Sequence, residues 1–453
     1  MKFIKNYNKL IKGASKLRKD VLRILEYTFK DISPEEAIKR ILIKKNNNLK
    51  ITDLKINLSK IKNIYVVGGG KASFLMTKAL YSIIGNRIKN GIISVNNATS
   101  NKIGPIKIIK AGHPLPTKEG VEASKNIIKI SEEATEDDII IVLISGGGSS
   151  LLPFPSIGIT INDLRETNKL LLASGASIDE INIVRKHISM IKGGRLSVSA
   201  YPAKIISLII SDVVGDDISS IASGPTAGDN STFLDAYRVL EHYNISKSVP
   251  SSVLKTIENG IKGKILETPN SDNHVFKTTF NRIILNNLSA LRTCKKKAEE
   301  LNYNTLILSS VIEGDSKNVG IFHSAIAREV KLSSNPVKLP AIIISGGETT
   351  VTLEKYGESK GGRNQECVTG FLSKFTPTKN EVFLSVGSDG IDGNSEFAGG
   401  IIGGSPLSFN KEDLLRALET HSTSEFLEKI NGNILTGVTG TNVNDIRILG
   451  IRH

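Results

Sequence analysis

The stretch Asp138-Ile139-Ile140-Ile141-Val142-Leu143-Ile144-Ser145-Gly146-Gly147-Gly148-Ser149-Ser150 decides how this chain folds. An unbroken aliphatic run such as Ile139–Ile144 has no polar side to offer water. It therefore reads as a strand covered on both faces, as in parallel sheets between helix layers. The run breaks into three glycines and three serines, more than a plain turn requires. In open α/β sheets, ligands gather beyond the carboxyl ends of strands. The segment thus indicates both an architecture and a place.

The same pattern recurs on either side. Strands are expected at Ile61–Val67, Asp138–Ile144, Ala203–Ile210, Arg282–Leu285, Thr305–Ser309, Ala341–Ser345 and Glu381–Val386. Helices are expected at Lys71–Ile84, Ile161–Leu172, Ile178–Met190, Asn287–Leu301 and Lys317–Leu332. This alternation is the signature of βαβ units. The fold class is α/β with two domains, each a mainly parallel sheet flanked by helices, the first Rossmann-like and the second smaller. The polar stretch 229–281, with Pro250 and Pro269, carries the weakest pattern. The junction is placed near its start, giving domains 1–235 and 236–453. Gly357–Gly362 reads as a local loop.

At roughly 150 residues per domain, 453 residues fit two or three domains. Hydrophobic residues at 39% and charged residues at 23% are globular proportions, which excludes disorder. Cys294 and Cys367 are isolated, so neither a disulfide framework nor a zinc site is expected. No apolar run is long enough to span a bilayer, and residues 1–20 do not read as a secretory signal. Cytoplasm is the expected location, with no membrane partner. The net charge of +14 is spread along the chain with little aromatic interleaving, so no nucleic acid partner is expected. A basic chain does suit anionic small substrates. A homodimer is compatible with the composition, which does not decide the oligomeric state.

Several motifs carry chemistry. Val66-Val67-Gly68-Gly69-Gly70-Lys71-Ala72-Ser73 runs from a strand through glycines to a lysine at a helix start, which suits phosphate. It is not a Walker A loop, and Ser73 stands where a dinucleotide fingerprint needs its third glycine. Ser145, Gly146, Gly147, Gly148, Ser149 and Ser150 can cradle an anion with backbone N–H groups, joined by Gly69 and Gly70. Asp212, after a buried strand, suits a Mg²⁺ ligand or a base toward a substrate hydroxyl. Arg363, in Gly361-Gly362-Arg363-Asn364-Gln365-Glu366, is placed to open a helix and grip an anion with two parallel hydrogen bonds. Glu348 and Asp389 are further metal candidates, although Asp389 reads equally as a turn residue. His113 sits in a loop stiffened by Pro114 and Pro116, while His187 reads as a packing residue.

In this order the motifs resemble the type 2 glycerate kinases, the family with a MOFRL C-terminal domain. The matching segments are GGGKAS at 68–73, GHPLP at 112–116, LISGGGSSLLPFP at 143–155, VRKHISMIKGGRLS at 184–197, SDVVGDD at 211–217, SGPT at 223–226, SGGETTVTL at 345–353, GGRNQE at 361–366 and SVGSDGIDG at 385–393. The resemblance spans about 60–405. It implies an active site in a cleft between the two domains, ATP and Mg²⁺ as cofactors, and D-glycerate converted to 2-phosphoglycerate. By the same likeness, Lys71 and Arg363 are catalytic. Lys71, Lys192 and Arg363 compete to bind the glycerate carboxylate, with His113 as a further substrate contact. The Glu313-Gly314-Asp315 segment departs from the family pattern, so no role is carried over to Glu313. The alternatives are an NAD(P)H-dependent hydroxypyruvate reductase and a non-enzymatic nucleotide or sugar-acid binding module.

Overall fold

A computed structural model describes residues 2–352 and 359–453. Within them the chain forms two compact units. One is continuous, Pro34–Ile284, and the other joins residues 2–33 to Leu285–His453. The boundary therefore differs from the expected 235/236. The polar stretch that suggested a junction is folded. Helix Phe233–His242 starts at a Thr232–Asp235 capping box, and with Ser251–Ile261 it buries Phe233, Val239, Leu240, Val253 and Ile257 in one cluster. That cluster also holds Ile181 and Val184 of helix Ile178–His187, which ties the stretch to the first unit.

In the continuous unit, β1 (Leu42–Lys45), β2 (Asn48–Ile51) and β3 (Leu54–Asn57) form a small antiparallel sheet. The main sheet contains β4 (Ile64–Gly69), β5 (Ile88–Val95), β6 (Lys102–Ile103), β7 (Ile106–Lys110), β8 (Ile139–Ile144), β9 (Lys204–Ile210) and β10 (Thr279–Leu285), in the order β10-β9-β8-β4-β5-β7-β6. The β9-β8-β4-β5-β7 pairs are parallel, while β6 runs antiparallel to β7. The aliphatic residues of β4 and β8 are buried throughout, as their sequences require. Successive strands build outward from β4 toward β7, and then the chain returns to the other side of β4 as β8 and β9. The direction of winding reverses between β4 and β8, and such a reversal is where doubly wound sheets bind ligands.

The second unit carries β11 (Asn304–Ile312), β12 (Ala341–Gly347), β13 (Glu381–Gly387), β14 (Gly399–Gly403), β15 (Asn433–Ile434) and β16 (Asp445–Ile451), in the order β11-β12-β16-β13-β14-β15. Here the expectation of a mainly parallel sheet is corrected. β11 and β12 are parallel, but β16 inserts antiparallel between β12 and β13, and β14 and β15 continue antiparallel. The cause is the last strand, which the sequence reading did not include. Helices Ser316–Ser333 and Arg363–Lys374 pack over one cluster with Ile343, Phe383 and Leu449. Helix Lys16–Asp31 brings Leu17 and Val21 against Gly450 and Ile342, whose neighbours in sequence belong to that cluster. Alternation along a strand therefore places the N-terminal helix on the opposite face. Among the described residues, no helix is long and apolar enough to cross a membrane.

Candidate active site

In the continuous unit, the loops after β4 and β8 lie side by side because those strands pair in register, Gly69 opposite Ile144. The loops are laced together. Lys71 N–H donates to Gly146 O at 2.9 Å, and Ala72 N–H donates to Ser145 Oγ at 3.0 Å. The approach is so close that a β-carbon on Gly70, whose φ is 147°, would run into Ser145 Oγ. Helix Ser73–Ile84 begins directly afterwards, two residues later than expected, so Lys71 stands in the loop itself. Gly147 has a φ of 80° and faces two candidate residues. A β-carbon there would lie 2.8 Å from His113 Cδ2 and 3.3 Å from Lys71 Cγ. A β-carbon on Gly146 would collide with the Asp212 carboxylate. Lys71, His113, Asp212 and the glycines of both loops thus share one small region. Burial, and then the charge of Lys71, lower the His113 pKa to about 4, so its imidazole is neutral at physiological pH.

Ser149 and Ser150 follow on the short helix Gly148–Leu151. Ser149 Oγ lies 2.9 Å from Ser223 Oγ, which donates to Asn182 Oδ1. The ammonium of Lys192 donates to Ser149 O at 2.8 Å. Burial, and then the nearby Arg185, push the Lys192 pKa down to about 7. His187 is fully buried against Phe233 with ring centroids 4.7 Å apart, the packing role expected of it.

In the second unit Gly362 is the N-cap of helix Arg363–Lys374, so Arg363 does open a helix. Its guanidinium is held on two sides. Nη1 donates to Glu348 Oε1 at 2.6 Å, and Nε donates to Asp445 Oδ1 at 3.0 Å. Burial opposes the charge, but Asp445 and Glu348 outweigh it and hold the pKa above the usual arginine value. Fully buried Asp445 also accepts from Asn364 Nδ2 at 2.9 Å and from Arg447 Nη2 at 3.1 Å. The Asp392 carboxylate accepts from the Asn364 and Gln365 amides, and burial pushes its pKa up to about 7. Burial, then Asp315, raise Glu366 to about 8. Arg363, Glu366, Asp389, Asp392 and His421 line a cavity of about 670 Å³. Leu353 and Gly357–Glu358, parts of two expected motifs, lie outside the described residues.

The three expected metal ligands differ in setting. Asp212 belongs to the continuous unit, and Glu348 and Asp389 to the other. Glu348 is an ion-pair partner of Arg363, and Asp389 Oδ1 accepts from Ile391 N–H as a turn residue does. Among the described residues, no three His, Cys, Asp or Glu side chains gather into a metal cage. Sequence reasoning missed Asp445, Arg447 and Glu366. The signal available was the pair Asp445 and Arg447 inside the otherwise apolar Asp445–Ile451 run, where buried charges demand partners.

A family model described as a domain of unknown function, DUF4147, matches residues 20–258, and the MOFRL family model matches 341–445. A glycerate 2-kinase from Pyrococcus horikoshii is 38% identical over 96% of this chain and 97% of its own. A solved glycerate kinase structure from Thermotoga maritima superposes with a TM-score of 0.83 at 32% identity, covering 96% of this chain and 99% of that one. An Agrobacterium vitis protein provisionally named a hydroxypyruvate reductase is 37% identical over 85% of this chain and 98% of its own.

Proposed function

Because the chain belongs to the glycerate kinase family built from DUF4147 and MOFRL domains, and is a phosphotransferase acting on glycerate, we propose that it moves the terminal phosphate of ATP to the 2-hydroxyl of D-glycerate by direct, Mg²⁺-assisted transfer. The observation that carries this reading is the pair of interlaced glycine loops at the winding reversal, with Lys71 and Asp212 against them. Phosphoryl transfer is mainly positioning and charge stabilisation. The Gly70, Ser145, Gly148 and Ser150 amides are spent on backbone carbonyls, which leaves the Gly146–Gly147 turn to hold the phosphate oxygens. Lys71 and Arg363 each stabilise the negative charge of the transferring group. His113, neutral beside Lys71, orients substrate without adding charge.

Mg²⁺ commonly takes one or two carboxylates and completes its shell with phosphate oxygens and water. Asp212, a carboxylate packed on the phosphate loop, fits that requirement, and Asp389 is a second candidate. The ion would neutralise phosphate charge when bound. In the hydroxypyruvate reductase reading Ser73 is the obstacle. It is fully buried, with its hydroxyl 3.3 Å from both Leu143 O and Ser145 Oγ, where a dinucleotide fingerprint needs glycine.

The test is incubation with ATP, Mg²⁺ and D-glycerate, with product read through enolase. Direct consumption by enolase, without a mutase, is the expected result. A product needing the mutase first would move transfer to the 3-hydroxyl. NADH oxidation on adding hydroxypyruvate, with no ATP consumed, would refute the kinase reading.

A further inference from the structure

Beside the glycine loop of the continuous unit is a second, smaller cavity of about 30 Å³. Ser149, Ser150 and Ser189 line it, together with Lys192 and Arg185. Pro153, Phe154 and Leu164 supply an apolar wall. The two cations are unusual in their company. Lys192 is 5% exposed, and its ammonium is hydrogen-bonded to the Ser149 carbonyl. Arg185 donates through Nε to Asn168 Oδ1 at 2.7 Å. Among the described residues, no carboxylate forms an ion pair with either. The contrast with nearby Lys186 is direct, since Lys186 is buried with Asp229 at 3.3 Å. Buried charges are normally paired, because desolvating an unpaired one is costly. Buried Lys192 and half-buried Arg185, facing one polar pocket with no carboxylate partner, therefore point to an anion that arrives from outside.

We propose that Arg185 and Lys192 bind the carboxylate of a small 2-hydroxy acid in this cavity, with the apolar wall against its carbon chain. This rests on the glycerate reading above and assigns the part of the site that recognises the acid. It also settles the competition among Lys71, Lys192 and Arg363 in favour of Lys192, joined by Arg185. An arginine fork presents two parallel N–H groups to a carboxylate, and the lysine adds a point charge. The cavity volume is far below the roughly 300–1,000 Å³ of sites that enclose larger ligands, which excludes a nucleotide. Ser149 and Ser150 lie at the end of the phosphate loop, so an acid held here has its hydroxyls near the transferring group.

The test uses the full chain with Arg185→Gln and Lys192→Met made separately, and KM measured for D-glycerate and for ATP. The D-glycerate KM is expected to rise roughly 10- to 100-fold in each, as loss of a hydrogen bond to a charged group gives. The KM for ATP is expected to stay near wild type in Arg185→Gln, whereas Lys192→Met also removes the hydrogen bond to the Ser149 carbonyl of the phosphate loop and is read on D-glycerate KM and preference alone. Preference for D-glycerate over glycerol, which lacks the carboxylate, is expected to shrink by a similar factor. Folded variants with unchanged D-glycerate KM and unchanged preference would overturn the assignment.

A second measurement needs no variant. Calorimetry on the wild-type protein compares D-lactate with lactamide, its neutral counterpart. Binding of lactate and not of lactamide is expected. Equal binding of the two, or binding of neither, would overturn it. If the wild-type protein phosphorylates no glycerate, the kinase reading fails, and the lactate–lactamide contrast still decides the cavity.

Discussion

Arg363 sits between Asp445 and Glu348, and that clamp makes its fork geometry, not just its charge, the property to test. Arg363→Lys keeps the charge and loses the fork, so kcat/KM for D-glycerate is expected to fall by at least about 10²-fold in steady-state assays. Near-normal turnover would remove Arg363 from the reaction. Behind it, Asp445→Asn leaves fully buried Arg447 without its carboxylate. A loss of about 3–5 kcal/mol is expected in urea unfolding, because the remaining charge stays buried. Glu366 gives a pH prediction. Its pKa is about 8 in the folded protein and near 4.3 in the unfolded chain. Between those values the folded state binds more protons, so stability falls as pH rises from about 4.5 to about 8. Glu366→Gln is expected to flatten that slope by up to about 1.4 kcal/mol per pH unit, measured as unfolding midpoints across the window. An unchanged slope would mean that Glu366 is ionised throughout. Lys71 and Arg363 were legible in the sequence because glycines frame them. Asp445 and Glu366 were not, since a charge in an apolar segment reveals its burial only once its distant partners are known.

The two glycine loops act as one element, and Gly70 is where they touch. Gly70→Ala would drive a methyl group into Ser145 Oγ at a φ of 147°. Stability is expected to drop by about 1–3 kcal/mol, with transfer activity lost as the loops part. Gly158 is a matched control, because it has a φ of 87° but open space around it. Gly158→Ala is expected to strain the backbone and leave turnover intact, and equal activity losses in both variants would deny the loops a special role. Strands such as Ile139–Ile144 could be read directly, because continuous aliphatic runs admit few alternatives. The 229–281 stretch misled through its polar composition. Its helices are amphipathic, and Thr232 and Asp235 already offered a capping signal. β16 escaped notice because Asp445 and Arg447 interrupt its apolar run.

At the scale of the molecule, the sequence conveyed two α/β units, but not that the second draws on both ends of the chain. Only spatial neighbours reveal that residues 2–33 belong with 285–453. Helix Lys16–Asp31 buries Leu17, Val21, Ile24 and Leu25 in that unit. Deleting residues 2–33 is expected to abolish amide-exchange protection across β12, β13 and β16, while β4, β8 and β9 stay protected. Equal loss in both sets of strands would show that the units unfold together. The same arrangement has a consequence during synthesis. The helix leaves the ribosome well before the strands it packs against, which lie beyond residue 340. At roughly 5–20 residues per second, its apolar stripe waits for about 15 seconds to a minute without its partner. Nascent chains stalled within that interval present a sticky stripe, and a chaperone that shields it has its busiest moment before β16 emerges.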